Sequence, residues 1–125
     1  MSIDEINELI RAESAVMLYF KNDSCGPCQV LRPKIEMLVQ GSFPKMKFVT
    51  LDPVKNPLLS SEFMVFAHPT ILVFFEGKEF LRRSKYVSVE ELSDEISRIY
   101  LIVFQSFLKR SLNNFNFIVK LPTIS

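Results

Sequence analysis

The segment AVMLYF at residues 15–20 constrains the fold more than any other stretch of this chain. Its six consecutive apolar residues have the length of a strand, and successive side chains of a strand face opposite ways. An unbroken apolar run therefore fits a strand covered on both faces, as in a sheet packed between helices.

The flanking patterns supply the covers. Ser2 and Glu5 form a capping box ahead of Ile3, Ile6, Leu9 and Ile10, which repeat at helical spacing and place a helix at about 3–13. NDSCGP follows the first strand as a loop. From Pro27 to about Gln40 the pattern is helical, with Pro33 expected to kink it. MKFVTL at 46–51 reads as a second strand, and Asn56-Pro57 as N-cap and first position of a short helix to about Phe66. TILVFFE at 70–76 is a third strand, Glu76-Gly77-Lys78 a turn, and KEFLRRSKY an antiparallel fourth strand. Ser88 and Glu91 open a long helix to Lys109 or Arg110, its core face carrying Val89, Leu92, Ile96, Ile99, Val103 and Phe107.

Helices between strands argue a parallel pair, and the closing hairpin adds antiparallel strands. The expected class is α/β: a mixed four-stranded sheet with helices on both faces. The 125 residues fit one domain, assigned to residues 1–110. Residues 111–125 are rich in Asn and apolar side chains, and Phe115, Phe117, Val119 and Leu121 alternate. This tail is expected not to continue the helix. It either packs back on its own domain or binds a partner, a second copy included.

Net charge is +1, which gives no basic footprint for nucleic acid. The first residues, MSIDEINELI, lack the basic and apolar regions of a signal peptide, and no stretch reaches the ~18 apolar residues of a membrane span. The expectation is a cytoplasmic protein with no membrane partner.

Both cysteines of the chain, Cys25 and Cys28, are separated only by Gly26 and Pro27. A disulfide across so short a loop stabilises little. Structural zinc requires four ligands, and only His68 could join the pair, so no metal is expected. Placed where a strand's loop meets a helix, Cys25 faces unsatisfied N–H groups and the positive end of the helix dipole. Such a site lowers a thiol from pKa ~8.5 into the range ~3.5–7.5. Cys28, three residues on, lies on the same helical face and within reach. Cys25 can attack a substrate disulfide, and Cys28 can then attack Cys25 and release the reduced substrate. The two thiols carry this chemistry without a cofactor.

CGPC at a strand-to-helix junction resembles the active-site motif of the thioredoxin family. Pro33, the segment LDPVKNPLLSSEFMVFAHPT, Pro69-Thr70 and FFEGK at 74–78 match that family's pattern in the same order. The resemblance covers about residues 3–108. It implies a thioredoxin-like fold and a thiol–disulfide oxidoreductase that reduces disulfide-containing client proteins, supplied with electrons by a thioredoxin-reductase-type donor. It further implies that Pro69 is cis and, with His68 and Thr70, docks the client strand. His68, next to that proline, would favour the Cys25 thiolate when protonated. Some positions depart from the family: Ser24 replaces a Trp, Tyr19 a buried Asp, Lys85 or Tyr86 a late glycine, and the first strand is absent. The lost Asp leaves water or another carboxylate, such as Asp23, to assist Cys28. These departures motivate the alternative of an interaction module with redox-idle cysteines.

Overall fold

The computed structural model describes the backbone of residues 1–114 and the side chains of residues 1–105. The elements run α1 (Ile3–Ala12), β1 (Ala15–Phe20), α2 (Gly26–Ser42), β2 (Lys47–Leu51), α3 (Leu58–Phe63), β3 (Thr70–Phe75), β4 (Lys78–Ser84) and α4 (Val89–Asn114). The strands form one sheet in the order β2-β1-β3-β4, with β1 parallel to β2 and the other pairs antiparallel.

The two central strands, β1 and β3, are buried at every position. Strand alternation sends their side chains into two separate cores. Met17, Tyr19, Ile71 and Val73 pack with Ile35 and Val39 of α2 and Leu92 and Ile96 of α4. Val16, Leu18, Phe20 and Leu72 pack with Ile6 and Ile10 of α1 and Leu59 and Phe63 of α3. Each apolar run thus serves both faces at once. The edge strand β4 carries Lys78, Glu79, Arg82 and Arg83, charges that discourage pairing with another chain.

The hairpin turns on two residues with positive φ, Glu76 at 52° and Gly77 at 80°, as a type I′ turn requires. α1 begins with the complete Ser2–Glu5 capping box, and the Glu91 N–H donates to Ser88 Oγ at 3.3 Å at the start of α4.

Four boundaries differ clearly from those expected. Pro57, not Asn56, occupies the cap position of α3; the Asn56 carbonyl accepts from the Leu59 N–H at 3.1 Å instead. α3 stops at Phe63 because Met64 turns left-handed, with φ 54°. β4 ends at Ser84 because Lys85 also has positive φ. α4 runs on through Asn113 and Asn114, whose unfavourable helix propensity is a weak force per residue. The core face of α4 is otherwise as expected, with Leu92 and Ile96 buried and Val89, Ile99 and Val103 against them. The expected roles of Phe107, Phe115, Phe117, Val119 and Leu121 lie outside the described residues. Among the described residues, no helix is long and apolar enough to cross a membrane.

The register brings four chain segments to one end of the sheet. Phe20 lies beside Leu51 on one side and Thr70 on the other, and Thr70 lies beside Ser84. The segments after β1, after β2, before β3 and after β4 therefore meet there.

Candidate active site

Cys25 is the N-cap of α2, with extended backbone, and its Sγ accepts the Cys28 N–H at 3.1 Å. The loop before it is held by the Cys25 N–H on the Asn22 carbonyl at 3.2 Å and by Gln29 Nε2 on the Asp23 carbonyl at 2.9 Å. Cys25 and Cys28 are joined as a disulfide, their Cα atoms 5.3 Å apart. Cys25 is part-exposed, whereas Cys28 is 1% exposed. The helix thus presents one sulfur and hides the other behind it. A Cβ on Gly26 would meet nothing within 4 Å, so the approach on that side is open.

The His68–Pro69 bond is cis, as the resemblance implies. Pro69 is buried and lines a groove of about 660 Å³ with Pro27, Val30, Leu31 and Tyr86. Its carbonyl accepts the Lys85 N–H at 2.8 Å, which ties the end of β4 to the proline segment. Thr70 is 1% exposed, and its hydroxyl is committed internally to the Ala67 carbonyl at 2.6 Å and Ser84 Oγ at 2.9 Å. Its hydroxyl therefore steadies the proline segment from within. His68 is half-buried, and its Nδ1 is buried without a hydrogen-bond partner among the described residues.

Tyr19 is fully buried on β1, and its hydroxyl donates to the Cys28 carbonyl at 2.7 Å. Burial pushes its pKa up to about 12, against a smaller opposing influence from Arg32. It stays protonated at neutral pH and cannot serve as a base there. Asp23 is exposed and bonded to Lys21 at 2.9 Å and Lys55 at 3.4 Å. The Lys21 hydrogen bond, reinforced by both cations, holds its carboxyl below the usual range, which makes it a weak proton acceptor. Sequence reasoning missed Lys21, which lines a cleft with Cys28, and Asp52, 3.7 Å from Lys21. The available signal was that each is a charged residue directly after a strand, at the end where the cysteine loop begins. Among the described residues, no group of three or more His, Cys, Asp or Glu is placed to hold a metal ion.

The sequence model of the family described as Thioredoxin matches residues 2–98 of this chain. The chain belongs to the thioredoxin family. Among its relatives, the thioredoxin-like protein YdfQ of Bacillus subtilis is 26% identical over 99 residues, covering 79% of this chain and 88% of that one. The thioredoxin of Rickettsia prowazekii is 32% identical over 73 residues, covering 58% and 70%. A solved mutant thioredoxin from Halobacterium salinarum superposes with a TM-score of 0.70 at 26% identity, covering 78% of this chain and 85% of that one. The oxidised mitochondrial thioredoxin 3 of Saccharomyces cerevisiae, 24% identical with a TM-score of 0.68, shares the fold. The α/β architecture is the thioredoxin fold, and the close cysteine pair makes this thioredoxin-family chain a thiol–disulfide oxidoreductase.

Proposed function

We propose that the chain reduces protein disulfides, with Cys25 as nucleophile and Cys28 as resolving thiol. The observation that carries this reading is the asymmetry of the pair: Cys25 Sγ sits part-exposed on a helix N–H, and Cys28 lies buried behind it. A helix N-terminus favours a thiolate, so Cys25 is the sulfur prepared for attack. It forms a mixed disulfide with the client, Cys28 attacks Cys25, and the client leaves reduced.

Gly26 keeps the approach open, and Pro27 and Pro69 line the groove along which an extended client segment lies. Thr70 acts through Pro69 by bonding the Ala67 carbonyl. His68 has a buried nitrogen without a hydrogen-bond partner among the described residues, and in this reading it favours the Cys25 thiolate when protonated. Electrons reach the pair from a thioredoxin-reductase-type donor. With both cysteines spent on the redox motif and none on a structural framework, the cytoplasm is the compartment that suits it. The catalytic unit is residues 1–110, and the tail either packs back on it or binds a partner such as a second copy; sedimentation of the full chain beside Phe115→Asp separates the two.

The deciding experiment is reduction of a protein disulfide by the purified protein with excess dithiol. Activity is expected for the parent and absent in Cys25→Ser, while Cys28→Ser accumulates the mixed disulfide. No activity in the parent would instead favour a module that binds partners with both cysteines replaced by Ser.

A further inference from the structure

Cys28 is almost fully buried, yet it lines a cleft of about 410 Å³ that also carries the polar residues Lys21, Asn22, Asp23, Arg32 and Glu36. Arg32 and Glu36 pair with each other along the helix at 2.9 Å. Lys21 is held differently. Its side chain is only 20% exposed and lies between Asp23 at 2.9 Å and Asp52 at 3.7 Å, whose own side chain is 9% exposed. The parallel register explains the pairing with Asp52. Phe20 stands beside Leu51, so the next residue of each chain segment, Lys21 and Asp52, meets its neighbour just past the strand ends. The hydrogen bond to Asp23, followed by the attraction of both carboxylates, raises the Lys21 pKa, so the ammonium is charged throughout the neutral range. Asn22 Oδ1, another group of this cleft, is buried without a hydrogen-bond partner among the described residues.

Resolution of the mixed disulfide requires Cys28 to lose its proton. Tyr19 bonds the Cys28 carbonyl and keeps its own proton, and Asp23 is engaged by two lysines. Lys21 and Cys28 line the same cleft. We propose that Lys21 is the fixed cation that favours the Cys28 thiolate in the resolving step, its strength set by Asp52. This inference rests on the exchange proposed above. Cys28 gives its proton to water in the cleft, and its sulfur attacks Cys25 Sγ. The Cys25–Cys28 bond forms as the Cys25–client bond breaks, and the client sulfur leaves as a thiolate that takes up a proton. The client disulfide gains two electrons, the cysteine pair loses two, and Lys21 remains an ammonium throughout. The other charged or titratable groups are Arg32 and Glu36, which line the cleft, Tyr19, bonded to the Cys28 carbonyl, Lys55 beside Asp23, and, at the Pro69 groove, Lys34, Lys85 and the neighbouring His68. All of them stay unchanged in the test.

The experiment titrates the Cys28 thiol by its ultraviolet thiolate absorbance in a Cys25→Ser background. Lys21→Met is expected to move the midpoint to higher pH, Asp52→Asn to lower pH, and Lys21→Arg to leave it near the parent's. In the protein with both cysteines, Lys21→Met slows single-turnover client release by about threefold to tenfold at neutral pH, an effect that fades at higher pH where the thiol ionises unaided. Superimposed titrations, or shifts of the same sign for Lys21→Met and Asp52→Asn, overturn the proposal. If Lys21→Met does not fold, an unmoved Asp52→Asn midpoint is sufficient to overturn it. Failure of the exchange itself reads out separately, as a parent without disulfide-reducing activity or as turnover that survives Cys25→Ser.

Discussion

The Tyr19 hydroxyl donates a 2.7 Å hydrogen bond to the Cys28 carbonyl, joining the centre of the sheet to the first turn of the cysteine helix. Where the family usually has a buried carboxylate, this chain has a neutral strut. The substitution trades a proton acceptor for an anchor.

Removing that anchor tests its weight. Tyr19→Phe is expected to cost about 0.5–1.5 kcal/mol of stability, the usual worth of one such bond, while disulfide reduction persists. Denaturant unfolding alongside the reduction assay checks both halves. A variant with full stability would deny the hydroxyl its structural role.

Alkaline stability gives a second measure of Tyr19. Its folded pKa, about 12, lies above the reference value near ~10, so folding favours the protonated phenol. The resulting contribution is complete below pH ~10 and is lost as pH rises from there towards ~12, amounting to about 2–3 kcal/mol. Tyr19→Phe should lack this loss. Stability measured against pH for both proteins should therefore converge and then cross in that window, because the alkaline loss exceeds the cost of the substitution at neutral pH.

Gly77 of the hairpin turn and Gly26 at the start of α2 should respond differently to alanine. Gly77 has φ 80° in the hairpin turn, a backbone that L side chains seldom adopt. Gly77→Ala is expected to cost about 1 kcal/mol through this strain alone, because the nearest heavy atom to an added Cβ, the Ile10 carbonyl oxygen, is 3.9 Å away. Gly26→Ala meets open space and should leave stability within about 0.5 kcal/mol of the parent. Thermal unfolding of the pair separates conformation from crowding.

Arg82 closes the end of α3. Its guanidinium donates to the Met64 carbonyl at 2.7 Å and the Phe63 carbonyl at 2.8 Å, and pairs with Glu79 at 3.0 Å. Arg82→Ala is expected to lower stability by about 1–2 kcal/mol, with Arg82→Lys recovering only part because it lacks the planar fork. Hydrogen exchange should quicken first at Phe63, Met64 and Val65. Uniform quickening across the chain would instead indicate a global effect.

Legibility from sequence followed the length scale of the force. The apolar run Ala15–Phe20 revealed its two-sided burial because alternation is a property of the strand itself. The Glu76-Gly77 turn was readable because glycine marks a backbone requirement. The α3 start was misjudged because a proline suits both the cap and the first helical position, and only the surrounding hydrogen bonds separate them. In the site, Cys25 and Cys28 declared themselves by spacing, and the cis bond before Pro69 followed from family resemblance. The bond from Tyr19 to Cys28 and the meeting of Lys21 with Asp52 were hidden, since both depend on how β1, β2 and α2 are set against one another.

The β3–β4 turn at Glu76-Gly77 stands at the end of the sheet opposite the cysteine loop, since Phe75 pairs with Ala15 while Thr70 pairs with Phe20. The molecule thus has a working end and an idle one. A spectroscopic label or an inserted tag tolerated at the hairpin would report on the protein without disturbing its thiols. That separation makes the idle end a natural handle for fixing the protein to a surface with its reactive sulfur facing outward.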